Sequence, residues 1–265
     1  MPILENLSSR KNSNLGLNTS PGVKKIVTED DVYASKHGKD PPPRYLEPHF
    51  NQISEVVEQN GLVTLGPLTS ASFIQDPRSL LFRAARYKFI AKTIGKTETV
   101  LEIGCGDASM SPIVYQASKS LTCIDIDPLM INHAIENVKN HFSIEFRQMD
   151  ILSENLGRKF DTIFSLDVLE HVPLELEFDF IQGAIKHLEL NGKYIVGTPS
   201  LASQEFTTDA NKLGHVNCKS NRSLIETLEQ HFSTILTFGM NDEVLHTGFE
   251  PFRNYLFAVC SNPKS

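Results

Sequence analysis

The sequence predicts an α/β fold, a mostly parallel sheet with helices on both faces, and three observations predict it. From Thr99 onward, short apolar runs alternate with stretches of helical period, the pattern of strand–helix–strand crossovers. The first of these runs passes straight into two glycines one residue apart, Gly104 and Gly106, before a helix opens. Finally, Glu102, Asp125 and Asp150 close three successive runs, and the C-terminal ends of parallel strands open on one crevice.

Taken in order, residues 1–45 read as a polar arm or lid, because few apolar groups could anchor them and prolines 41–43 bar a helix. Residues 46–98 read as a helical cap, with helical spacing at 46–59 and again at 77–94. In the second stretch Leu80, Leu81, Ala84, Ala85, Tyr87, Phe89 and Ile90 form a stripe, and Asp76 stands as an N-cap before Pro77. Strands are expected at 100–103, 121–126, 144–146, 162–166 and 194–196, with helices at 109–117, 129–138 and 176–188 between them. Gly192 fits a helix C-cap turn. After a helix at 223–231, runs at 234–239 and 255–260 read as an antiparallel pair added to the sheet edge. The main domain then spans 99–265, with loop insertions near 199–220 and 240–252.

Bulk composition narrows the class. A formal net charge of −7 gives no broad field for phosphate backbones or anionic lipid, so nucleic acid and membrane are excluded as first partners. No apolar run reaches the roughly 20 residues needed to span a bilayer. Residues 1–20 lack the apolar core of a secretory signal. Cys105, Cys123, Cys218 and Cys260 are scattered and form no C-x-x-C pair, which suits reduced thiols and a cytoplasmic setting.

The glycine turn carries the chemistry. Without Cβ atoms it admits a ligand close to the backbone, and the helix that follows adds unpaired N–H groups. Glu102 places a carboxylate where an ammonium could be held. A dinucleotide site shares this layout, but its fingerprint needs a third glycine or alanine where Ser109 stands. Asp125, about twenty residues on, can accept two ribose hydroxyls. Asp127 before Pro128 reads equally as a helix cap. Asp150 can accept from an adenine amino group, with Ile151 packing on the ring.

At this point the chain resembles a known family. The stretches V-L-E-I-G-C-G-D from Val100, C-I-D-I-D-P from Cys123, R-Q-M-D-I-L from Arg147 and F-D-T-I-F-S-L-D-V-L-E-H-V-P from Phe160 are similar, in order and spacing, to class I S-adenosylmethionine-dependent methyltransferases. The ubiquinone-type and sugar O-methyltransferases are the branch it looks most like. The resemblance covers residues 78–260 and implies a Rossmann-like, seven-stranded, mostly parallel sheet with a reversed final strand. It implies S-adenosylmethionine as cofactor and S-adenosylhomocysteine as product. Glu102, Gly104 and Gly106 would hold the methionine part, Asp125 the ribose, and Asp150 with Ile151 the adenine; Cys105, Ile126 and Leu166 complete the donor set.

The acceptor is less visible. The Asn/Asp-Pro-Pro-aromatic element of adenine-N6 and related amino methyltransferases is absent after Leu166, where the chain reads Asp167-Val168-Leu169-Glu170-His171. His171, which lies near the donor in related enzymes, is the first candidate base, and His215 and His246 are the next. The polar loops around them suit a small hydroxylated acceptor such as a sugar. Glu170, His171, His215, Asp242 and His246 could alternatively gather a metal, although no pair has the helical spacing of a zinc motif. N-methylation of an amino sugar or other small amine, a non-catalytic donor-binding subunit or sensor, and a homodimeric assembly stay open, while Glu102, Ser109 and Asp150 together disfavour a nicotinamide oxidoreductase. Asp31, Tyr33 and His37 belong to the arm that could close over the donor.

Overall fold

The computed structural model describes residues 47–264. The expected arm, with Tyr33 and the three prolines, lies outside them. The chain divides into two compact units, one ending at Gly61 and one running from Leu62. In the first, helix α1 (Pro48–Asn60) has a proline in its first turn and stops at Gly61, whose φ of +78° only glycine adopts freely.

The second unit carries the sheet. Helices α2 (Pro67–Gln75) and α3 (Arg78–Thr93) lead into it, and Asp76 accepts the Arg78 backbone N–H at 3.0 Å. The expected cap therefore forms, one residue earlier than the helix proper. Eight strands follow: β1 (Thr99–Ile103), β2 (Ser120–Asp125), β3 (Glu145–Gln148), β4 (Phe160–Leu166), β5 (Leu188–Pro199), β6 (Phe232–Asn241), β7 (Val244–His246) and β8 (Tyr255–Pro263). Their order in the sheet is β3-β2-β1-β4-β5-β8-β6-β7. The first five are parallel, while β8 runs antiparallel between β5 and β6. That is the reversed final strand, inserted one place in from the edge pair. The eighth strand is β7, three residues paired with β6.

Alternation along β1 sorts the core. Leu101 and Ile103 join the cluster under α6 (Glu177–Lys186) and α8 (Asn221–Glu229). Val100 joins the opposite cluster with Tyr87 and Ile90 of α3, Val114 of α4 (Ser111–Tyr115) and Ile131 of α5 (Pro128–Ala134). Glu102 falls on Val100's side. Asp127 caps α5 by accepting Leu129 N–H at 2.8 Å, and the helix then widens into a π turn at Ile135–Lys139.

Gly192 needs correction. It is not a helix cap but lies within β5, whose pairing with β4 slips between Phe160 and Thr162. A Cβ there would stand 2.9 Å from the Asp161 carbonyl oxygen, so glycine serves close approach at a bulge.

Beyond β5, a short helical turn (Leu201–Phe206) and α7 (Asp209–Gly214) form a polar loop. Its stem is held by a buried ion pair, Lys219 to Glu177 at 2.5 Å. Asn217 and Thr227 side chains also donate to the same carboxylate. Removing one partner strands the other charge in the core. Lys219→Met is therefore expected to cost about 3 kcal/mol in urea unfolding. Adding Glu177→Gln to it should recover part of that loss.

Candidate functional site

The glycine turn is held by the strand next to it. Gly104 and Cys105 both donate N–H to the Ile124 carbonyl, at 2.8 and 3.1 Å, and Gly106 donates to Asp125 Oδ2 at 2.8 Å. Asp125 Oδ1 accepts Asp127 N–H at 2.9 Å. Gly104 sits at φ +75°, and a Cβ on it would lie 2.3 Å from Val168 Cγ2. No other residue fits that position without moving the loop after β4.

A cavity of about 690 Å³ opens at the strand ends. One side is the glycine turn with α2 and α3, contributing Cys105, Asp107, Arg83 and Tyr87. The other side brings Asp167, Glu170 and His171 from after β4, and Gln204, Asn211 and His215 from the loop after β5.

Of the residues expected from sequence, the structure brings Cys105, Leu166, His171 and His215 to this cavity. Gly104, Gly106 and Asp125 form the turn at its edge. Ile126 follows Asp125 and is 64% exposed. Glu102 does not reach the cavity: it is 1% exposed, and its carboxylate accepts Tyr87 Oη–H at 2.6 Å and the Cys123 thiol at 3.2 Å. Tyr87, which does line the cavity, donates to that carboxylate, so Glu102 would meet an ammonium, directly or through water as expected, only past that ring. Burial raises the Glu102 pKa. Asp150 uses its carboxylate on Leu152 N–H and Ser153 Oγ–H, and Ile151 is buried in the core with its carbonyl against Gly183. His246 is not among the residues lining this cavity. It sits on β7 with Nε2 toward the Phe252 carbonyl, in a neighbouring hollow beside Asn241 and Glu243 that shares Asp242 with the cavity.

The floor of the cavity carries a partly buried charge network. Asp167, at φ +56°, takes both oxygens to Arg86 Nη1 at 2.9 and 2.8 Å, and the Arg86 guanidinium lies 3.9 Å over the Tyr255 ring. Beside them Glu170 accepts Thr198 Oγ1–H at 3.0 Å. Burial, with the Asp167 charge second, pushes Glu170 up to about 8.

The two histidines face each other with ring centroids 5.1 Å apart. His171 Nδ1 meets the Gly214 carbonyl at 2.9 Å, and a carbonyl can only accept. Nδ1 therefore carries the proton and leaves the Nε2 lone pair free. His215 Nδ1 meets Gln204 Oε1 at 2.7 Å in the same manner. Desolvation, and then the neighbouring His171, lower the His215 pKa and favour the neutral ring. Glu170, His171 and His215 each offer one ligand atom, all within 4.8 Å of one another.

Sequence reasoning missed Arg83, Arg86, Thr69, Asp107 and Tyr255. A signal existed for two of them: Arg83 and Arg86 interrupt the apolar stripe of α3 one turn apart, beside Tyr87.

Residues 100–192 match the family model described as a methyltransferase domain. The chain is similar to ribosomal protein L11 methyltransferase of Thermosipho africanus, 32% identical over 155 residues, covering 57% of this chain and 54% of that protein. It is also similar to the ubiquinone biosynthesis O-methyltransferase, mitochondrial, of Schizosaccharomyces pombe, 29% identical over 109 residues, covering 38% of each. It thus spans about half, or less, of the length of these curated relatives. Among solved structures, the N-methyltransferase NodS of Bradyrhizobium japonicum WM9 with S-adenosyl-L-homocysteine superposes with a TM-score of 0.56 at 21% identity, covering 79% of this chain and 98% of that one. That likeness is one of fold.

The Glu170 carboxyl makes stability depend on pH. Its folded pKa of about 8 exceeds the ordinary 4.5, so between these values the folded chain holds a proton that the unfolded chain has lost. Stability should fall as pH rises through that window, by at most about 1.4 kcal/mol per unit from this group. Glu170→Gln removes the component. Urea unfolding of both proteins at several pH values in that window should show the flatter dependence in the variant; equal slopes would mean the carboxyl is ionised when folded.

Proposed function

We propose that this chain, which carries a class I S-adenosylmethionine-dependent methyltransferase domain and fold, moves a methyl group from S-adenosylmethionine to a hydroxyl of a small polar acceptor, a sugar or sugar-derived metabolite. One observation carries the reading: a single cavity joins the glycine turn to two histidines with free Nε2 atoms and to neutral hydrogen-bonding side chains such as Gln204 and Asn211.

The bound donor supplies an already activated sulfonium methyl. Gly104 and Gly106 let its methionine part approach the backbone, Asp125 offers carboxylate lone pairs to the ribose, and Asp150 and the exposed Ile126 flank the adenine place, with Ile151 packed in the core behind them. Cys105 and Leu166 wall the reacting end. His171 Nε2 takes the hydroxyl proton, with Gly214 fixing its tautomer, and His215 sits second to it. The enzyme's main task is alignment of acceptor oxygen, methyl carbon and sulfur in a dry site.

A second reading has its own observation, the approach of Glu170, His171 and His215. These residues fit a divalent cation: both rings have Nδ1 committed to an oxygen acceptor and Nε2 free, the arrangement of metal-bound imidazoles. A cation there would act as a Lewis acid on the acceptor oxygen. An amine acceptor is the remaining alternative, and it needs no strong base.

Calorimetric titration with S-adenosylmethionine and S-adenosylhomocysteine should give affinity on the order of micromolar, lost in Asp125→Ala. Absence of heat from folded wild-type protein defeats the reading. In a screen of hydroxylated metabolites, His171→Ala should lower kcat by about 10²-fold or more while donor affinity holds. Little rate loss points to an amine. Activity abolished by chelator and restored by a divalent ion, with His215→Ala as damaging as His171→Ala, points to the cation.

A further inference from the structure

We propose that Asp107 is a positioning residue that latches α2 across the glycine turn, so that seating of this helix and completion of the methionine end of the donor site are one event. The inference rests on the methyltransferase reading above.

Asp107 follows Gly106 directly and is 3% exposed. Both of its oxygens are committed to protein groups. Oδ2 accepts Thr69 N–H at 2.7 Å, and Oδ1 accepts Thr69 Oγ1–H at 2.9 Å and Ser109 N–H at 3.2 Å. Thr69 N is one of the free amides in the first turn of α2, where a carboxylate is favoured by both hydrogen bonding and the helix dipole. Ser109 Oγ accepts Gly66 N–H at 3.0 Å, just before the helix. A Cβ on Gly66 would stand 2.3 Å from Asp107 Cβ, so this approach is open to glycine alone. Arg83 adds two bonds from α3, to Thr69 Oγ1 at 3.2 Å and Ser72 Oγ at 2.9 Å.

What makes this a latch is the rest of α2. Thr69 is its buried residue, while Leu68, Phe73 and Ile74 are exposed. The helix is seated by a short polar contact, with little apolar burial to hold it if that contact is lost. Leu68 and Thr69 line the cavity beside Cys105, so release of α2 removes one wall of the donor end.

The test uses the full chain and S-adenosylhomocysteine as probe. Calorimetry on wild type, Asp107→Ala, Thr69→Val and the double variant measures whether the two residues act through each other. Each single change should weaken binding, Asp107→Ala by about 10-fold, and the double variant should be no weaker than Asp107→Ala alone. Asp107→Asn, which retains one acceptor, should fall between wild type and alanine. Amide hydrogen exchange over residues 66–75 should be slowed by the probe in wild type and accelerated in Asp107→Ala, with β1 and β4 unchanged. Losses that multiply in the double variant, unchanged affinity, or unaltered exchange in α2 would each overturn the latch while leaving donor binding intact. A wild-type protein that binds no probe defeats the methyltransferase reading itself, and the latch with it. Should Asp107→Ala fail to fold, Thr69→Val with the exchange measurement decides the matter.

Discussion

The structure depends on how closely three strand ends approach at Gly104. There is no space for a Cβ between that residue and Val168, and the Ile124 carbonyl takes two N–H groups from the same turn. β1, β2 and β4 are thereby fixed in mutual register at their C-terminal ends, where a parallel sheet opens its crevice. With Val168 pressed on Gly104, the residue before it turns sharply away. Asp167 does so in a left-handed conformation that Arg86 holds with a two-toothed ion pair. One steric constraint in the donor turn thus sets the direction in which the segment bearing Glu170 and His171 leaves the sheet.

That segment in turn organises the loop after β5. The Glu170 carbonyl accepts Asn217 N–H at 3.0 Å, its carboxyl is met by Thr198, and His171 reaches Gly214. The Lys219–Glu177 pair ties the loop's return to α6. His215 is held by its own short helix, donating its N–H to the Asn211 carbonyl at 2.8 Å, while its neighbours Gly214 and Asn217 bond to His171 and Glu170. This is why two histidines separated by more than forty residues meet ring to ring. Arg86 and Asp167 are partly exposed beside the buried Glu170, so one cation faces two carboxyl groups. Burial, and then the Asp167 charge, raise the Glu170 pKa and favour its protonated form.

Much of the glycine-turn half of the sheet was legible in the sequence because local pattern and tertiary position coincide there. The glycine pair, the alternating strands and Asp125 three residues before a proline-started helix each carry a local signal, and the parallel order follows from their spacing. Glu102 shows the limit. Its place at a strand end was readable, but its side was set by period-two alternation, which aligns it with Val100 and turns it toward Tyr87. Gly192 misled for a related reason: a glycine after a helix reads as a cap, while the bulge that requires it is created by register against Asp161 in another strand. His246 was grouped with the other histidines because it falls in the connection between the last two strands, and the extra strand β7 in that connection, too short to give a period, puts it in the neighbouring hollow. Asp107 was skipped as the tail of a glycine motif because its partner, Thr69, lies 38 residues earlier in the chain.

The same division bears on the acceptor. The matched methyltransferase domain, residues 100–192, takes in the glycine turn, Asp125, Asp150 and His171, and stops before the loop that carries Gln204, Asn211 and His215. Donor binding asks for a fixed backbone, which a buried parallel sheet supplies through strand ends that cannot shift independently. Acceptor choice asks for side chains that differ between enzymes, and a polar loop pinned at its stem can change them without disturbing the sheet. In this chain the pinning is strong at Lys219 and Glu170, while Phe206 and Leu213 on the loop itself are left exposed. On the proposed function, specificity is therefore expected to reside in residues 200–216, where the loop is free to vary, while the segment bearing His171 is fixed by the sheet.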